Sequence, residues 1–226
     1  MNQTRTPLLQ KDLPPPFKAA GGAPAPEPSK ILLIKLAAVG DLVIASTFFD
    51  KLRRRFPHAD IQLLVGRSCQ RVVENNPVIN RLLVADDGAI YKGNVASQCR
   101  EFFRLVSRLR RERFDMVFVM HRAWAFKLLA LFANIPVRVG LAKRRLFNPL
   151  THTVVPASFR NEREVYLDLL RKINCPVEYD RSHFSLTPEE DEFCADFIRQ
   201  HAIAEEEVLM AIAPGGGDNV KSSMPS

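Results

Sequence analysis

From Lys30 onward, short apolar runs alternate with stretches in which apolar residues recur every three or four positions, and few folds admit that alternation. Strand-like and helix-like segments in succession are the signature of a parallel sheet covered by helices on both faces. Residues 31–36 read as the first strand. The next segment puts Ala45, Phe48, Phe49 and Leu52 on one helical face and is stopped by Pro57. Residues 61–65 give a second strand, 67–74 a short helix, 81–84 a third strand, and Asp86-Asp87-Gly88 a turn. A longer helix then buries Phe102, Leu105, Val106 and Leu109, with Phe103 read as buried too, and leaves Arg104, Arg108 and Arg111 outside. The strand 115–120 ends in His121-Arg122, a helix with Trp124, Leu128 and Leu131 runs to Asn134, and 137–140 is a further strand. Residues 161–173 read as a helix with Val165, Leu169 and Ile173 inward, followed by a connector over 175–185. Thr187-Pro188-Glu189-Glu190 is a capping box with proline at the first helical position, starting a helix expected to bury Phe193, Phe197 and Ile198. Residues 208–213 read as a buried strand that enters the loop Pro214-Gly215-Gly216-Gly217-Asp218-Asn219.

The first 29 residues break the pattern. Seven prolines and Gly21-Gly22 remove backbone donors and leave little apolar surface, which predicts a disordered tail. The 226 residues, 46% of them hydrophobic, suffice for one full core. The net charge of +7 is concentrated between Arg100 and Arg145, where twelve Lys or Arg face only Glu101, Glu112 and Asp115. Such a window reads either as a surface for an anionic partner or as solvated helix faces. Cys69, Cys99, Cys175 and Cys194 form no C-x-x-C pair, so no zinc site or disulfide framework is implied and reduced thiols are expected. No apolar run reaches the roughly 18 residues of a spanning helix, and no signal-peptide segment opens the chain; a cytoplasmic protein is expected.

Ligands of open α/β sheets bind beyond the carboxyl ends of the strands. Three strand ends here carry polar or glycine-rich loops. The first strand runs into Ala37-Ala38-Val39-Gly40-Asp41, where Asp41 reads either as the cap of a helix starting at Leu42 or as a carboxylate aimed at a ligand, and Gly40 as a tight turn or a point of close approach. The motif lacks the G-x-G-x-x-G of dinucleotide sites, and no Walker sequence occurs, which disfavours NAD-dependent and P-loop chemistry. His121 and Arg122 read as ligands at the same sheet edge, or as a core histidine and a surface arginine. The loop 214–219 reads as a phosphate cradle or a plain glycine turn.

These motifs resemble glycosyltransferase family 9, the ADP-heptose:lipopolysaccharide heptosyltransferases. The resemblance is carried by the I-L-x-I-K strand before x-x-x-G-D, by the strand ending at His121-Arg122 with the downstream Ile135-Pro-Val-Arg138-Val-Gly140, and by the glycine loop at 214–219. Departures are Ala37 and Ala38 where many members have serines, Ala125 and Phe126 where a basic residue and a serine are common, and no K-x-W-P segment. The resemblance implies a GT-B type α/β architecture. A disordered tail (1–29) would precede a Rossmann-like, acceptor-binding domain with a parallel sheet (30–185), and residues 186–226 would be a linker helix and only the start of a second Rossmann-like, nucleotide-sugar-binding domain. It implies an inverting, metal-independent transfer of heptose from ADP-heptose to the lipopolysaccharide inner core, needing no cofactor. Asp41 would be the general base, Gly40, His121 and Arg122 would hold the acceptor, and Gly215, Gly216 and Gly217 the donor phosphates. The implied location is cytoplasmic, with peripheral contact at the inner membrane and no nucleic-acid partner, and the expectation is of a chain truncated early in its second domain, with doubtful activity. The competing expectation is a non-catalytic binding module whose basic face takes an anionic glycolipid or nucleic acid.

Overall fold

Six parallel strands form one sheet in the order β3-β2-β1-β4-β5-β6. The computed structural model describes residues 26–142, 148–156, 161–175, 177, 186–204, 206–210 and 212. The strands are β1 (Lys30–Ile34), β2 (Asp60–Gly66), β3 (Arg81–Ala85), β4 (Met116–Val119), β5 (Val137–Leu141) and β6 (His152–Val154). Helices α1 (Val39–Arg55), α2 (Asp87–Tyr91), α3 (Val95–Glu112), α4 (Trp124–Phe132), α5 (Glu162–Arg171) and α6 (Pro188–Gln200) complete the elements, with a 3-10 segment at Arg67–Val72. The order is that of the doubly wound α/β folds, and the α/β class expected from the alternation is the class observed.

Strand β1 lies at the centre, Ile31 opposite Ile61 of β2 and Met116 of β4. Because successive side chains alternate across a strand, β1 feeds two cores. Ile31 and Leu33 join Phe48, Phe49, Phe118 and Tyr166 beneath α1 and α5, while Leu32 and Ile34 join Leu105, Leu109, Phe126 and Leu129 beneath α3 and α4. Phe48 meets Phe118 edge-to-face with ring centroids 5.1 Å apart, tying α1 to β4. Fully burying a side chain of this size stabilises by about 1.5–3 kcal/mol, so these contacts hold the layers together. Helix α1 also suits its dipole, with Asp41 in the first turn and Arg53, Arg54 and Arg55 in the last.

The structure departs from the sequence expectations at several places. Asp86 is not in a turn; it caps α2, its side chain accepting from the Ala89 amide. Strand β6 was not expected, being only three residues long. Phe103 is 67% exposed, not buried. Helix α6 has its capping box, with Thr187 and Glu190 bonded reciprocally, but Phe193, Phe197 and Ile198 are exposed because the described residues from 186 onward build no core over that face. Val208, Leu209, Met210 and Ile212 are exposed and in no strand, since among the described residues no neighbouring strand supplies a ladder. The chain divides into two compact units, Met1–Ser185 and Leu186–Ser226. Residues 1–25, most of the connector over 175–185 and the loop 214–219, including Gly215, Gly216 and Gly217, lie outside the described residues.

Candidate functional site

The carboxyl ends of β1 and β4 are where the covering helices change sides: α1 follows β1 onto one face and α4 follows β4 onto the other. Such a switch point opens a crevice in the sheet edge. Beyond Ile34, β1 continues without being a regular strand. Lys35 donates its amide to the Leu64 carbonyl at 3.1 Å, and the Leu36 carbonyl accepts from the Gly66 amide at 3.0 Å. That approach needs glycine at 66, because a Cβ there would stand 2.8 Å from the Leu36 oxygen.

At this switch point Lys35 and Asp41 form an ion pair, Nζ to Oδ2, at 2.6 Å. The partners are unequally placed: the Lys35 side chain is 5% exposed and that of Asp41 39%. The ammonium is therefore a fixed internal charge, and the carboxylate it orients stays within reach of a ligand. Asp41 does not cap α1. The helix begins at Val39 with Ala38 as N-cap and no side-chain cap bond, which places Gly40 and Asp41 inside the first turn. Gly40 is thus no tight turn; a Cβ on it would meet nothing within 4 Å, so open space lies at Gly40.

His121 reaches across from β4. Its Nε2 accepts the Leu36 amide at 2.8 Å, which leaves the proton of the neutral ring on Nδ1, and the ring stacks on Phe126 with centroids 4.3 Å apart. Burial, and then the Lys35 ammonium, push the imidazole down to about 4 despite the opposing pull of Asp41, so it is neutral at pH 7. Arg122, the next residue, is exposed and donates to Glu162 in the first turn of α5 at 2.8 Å. Tyr166, one turn further along α5, is fully buried, and its ring lies 5.6 Å from the Lys35 ammonium. Its hydroxyl makes no hydrogen bond of ordinary geometry, and burial, followed by Asp41 and Glu162, raises its pKa.

The structure therefore brings together Asp41, Gly40 and His121, and seats Arg122 at the end of the same strand, facing α5. Lys35, Gly66, Glu162 and Tyr166 were not singled out from the sequence. Lys35 had a signal, as the polar residue closing the I-L-L-I-K run; Tyr166 had none, because its spacing on α5 is that of a core residue. Arg138 of the I-P-V-R-V-G segment proves architectural: its guanidinium donates to the carbonyls of Ile135 and Pro149. Among the described residues, no group of three or more His, Cys, Asp or Glu is placed to hold a metal ion.

No family model matches the chain. Lipopolysaccharide heptosyltransferase 2 of Salmonella typhimurium is 30% identical over 111 residues, which is 49% of this chain and 30% of that protein. The Escherichia coli K12 protein of the same name is 28% identical over 111 residues, with the same coverage. Among solved structures, the glycosyl transferase family 9 protein of Veillonella parvula superposes with a TM-score of 0.69 at 21% identity, over 84% of this chain and 54% of that one. E. coli ADP-heptose lps heptosyltransferase II superposes with a TM-score of 0.58 at 22% identity, over 78% and 52%. The chain thus spans 30% of the length of the two curated relatives and about half of the two solved structures.

Proposed function

We propose that this chain, a member of glycosyltransferase family 9, forms the acceptor-binding side of a transfer of heptose from ADP-heptose to the lipopolysaccharide core. The observation that carries the reading is the Lys35-Asp41 pair, a reachable carboxylate held by a buried ammonium at the switch point of the sheet. A sugar hydroxyl becomes an effective nucleophile as its proton is accepted, and proton acceptance by a positioned carboxylate contributes about 10²–10⁴-fold to rate. In this reading the acceptor oxygen bonds to the anomeric carbon of heptose, the bond from that carbon to the diphosphate oxygen breaks, Asp41 takes the acceptor proton, and ADP leaves with inversion and without a metal. In this reading the acceptor enters the open space at Gly40 and is held by Arg122 and by the Nδ1–H of His121. Gly215, Gly216 and Gly217 would offer backbone amides to the donor phosphates. A cytoplasmic chain meeting a membrane-borne acceptor belongs to the same reading.

Acceptor binding tests it without requiring turnover. Titrating the chain with a deacylated core oligosaccharide should shift the ring proton signals of His121 and the side-chain signals of Lys35, while an unrelated oligosaccharide leaves them in place. Shifts confined to other parts of unit Met1–Ser185 would overturn the assignment of the site.

A further inference from the structure

Helices α3 and α4 cover one face of the sheet, and their outer surface is unlike the solvated helix faces that the basic window suggested. Phe103 is 67% exposed and Phe132 47%, and the half-buried Phe102 bridges them edge-to-face, with ring centroids 5.7 and 6.1 Å away. The three rings form one aromatic ridge across two helices. Arg100, three residues before Phe103, and Arg110, seven after, share its side of α3, and Arg111 and Arg113 flank the ridge toward the helix end.

Among the described residues, the acids nearby form no ion pair with these four guanidinium groups. Glu101 is buried, accepting from the Asp86 amide and pairing with Arg104. Glu112 is taken by Lys30 and Arg81, and Asp115 by the amides of Ser29 and Lys30. Arg100, Arg110, Arg111 and Arg113 pair with no carboxylate among the described residues. Arg110 donates to the Phe132 carbonyl at 2.6 Å, and with Arg113 and Asp115 it lines a hollow of about 610 Å³.

We propose that this α3–α4 face docks on an anionic phospholipid bilayer, with Phe103 and Phe132 inserted at the headgroup boundary and the four arginines on lipid phosphates. Exposed aromatics beside cations that no carboxylate pairs combine the two attractions that hold peripheral proteins on membranes, apolar insertion and charge. Bases would require rings presented flat and spaced along a groove, whereas these rings pack edge against face on one another. The proposal deepens the transfer reading, which brings the chain to a lipid-borne acceptor, yet vesicle binding is measured without substrate, so the two fail separately.

The test is co-sedimentation of the chain with vesicles of phosphatidylethanolamine containing about a quarter phosphatidylglycerol. The chain should pellet with these, stay in solution with phosphatidylcholine vesicles, and be released by high salt. Phe103→Ser with Phe132→Ser, which leaves the charge unchanged, should weaken partitioning by at least about tenfold. Arg100→Ala with Arg111→Ala should weaken it by about 25-fold, each arginine near an anionic surface being worth about fivefold. All four side chains are exposed, so far-UV circular dichroism should be unaltered, and either pair alone decides the outcome. The proposal is overturned if the wild type ignores the anionic vesicles, if either double variant binds as well as wild type, or if a DNA oligonucleotide displaces the chain from the vesicles at equal charge.

Discussion

Lys35 and Asp41 are six residues apart and coupled, and the coupling decides how Asp41 can be probed. Removing the carboxylate strands an ammonium that is 5% exposed, whereas removing the ammonium leaves a carboxylate that water can reach. Breaking a fully buried pair from one side costs about 3–5 kcal/mol, and the partial exposure of Asp41 lowers that. Asp41→Asn should therefore destabilise by roughly 1–3 kcal/mol in urea unfolding, Lys35→Met by less, and the double variant should recover most of the loss. Equal and additive losses would mean that the pair is not coupled. His121 supplies a pH signature. Its folded value of about 4 lies below the 6.5 of an unperturbed imidazole, so the unfolded state binds the proton first as pH falls. Its contribution is complete above about pH 6.5 and is lost progressively toward pH 4. An NMR titration should find the His121 ring neutral down to about that pH, and Lys35→Met should move its midpoint upward. At this scale the sequence showed Asp41 and His121, because polar residues after apolar runs stand out. It hid Tyr166 and Glu162, whose place beside the site comes from the docking of α5 and not from any local pattern.

Glycines separate the elements that shape the site from those that merely border it. At Gly66 a Cβ would press on the Leu36 carbonyl and on Asp87, so Gly66→Ala should push the end of β1 away from β2 at a cost of about 1–3 kcal/mol. Gly40→Ala meets nothing and sits in the first turn of α1, so it should raise stability by up to about 1 kcal/mol. If the acceptor uses that space, the same substitution should lower core-oligosaccharide affinity, splitting stability from binding. A loss of stability in Gly40→Ala would contradict the open environment of that residue. Strands β1 to β5 were legible because each carries a compact apolar run and pairs within the sheet. Strand β6 was not, since three residues give no alternation to read. The opposite error arose at Val208–Met210 and on α6: periodicity shows which face is apolar and says nothing about what covers it. Phe103 was misread for a related reason, standing next to the core-facing Phe102 in an arginine-rich stretch.

The whole molecule is governed by the strand order, which sets β1 beside β4 and so brings residues 35–41 to residue 121. That order follows from packing between distant segments, and sequence reading reached it only as a class, a parallel sheet with helices on both faces. Charge is likewise organised at this scale: the basic window resolves into arginines used internally, such as Arg138, an arginine tied to Glu162 at the sheet edge, and the unpaired set on α3–α4. The strand-end site and that helical face are therefore expected to respond to different substitutions, with Arg100→Ala and Arg111→Ala leaving core-oligosaccharide affinity unchanged. The central claim is that Asp41 accepts the proton of the attacking hydroxyl. Its most direct test is heptose transfer from ADP-heptose to a core oligosaccharide by the whole protein, comparing wild type with the Lys35→Met/Asp41→Asn pair and with Lys35→Met alone. The account predicts that loss of the carboxylate lowers turnover by about 10²–10⁴-fold beyond any effect of Lys35→Met, and turnover equal in the two variants would contradict it.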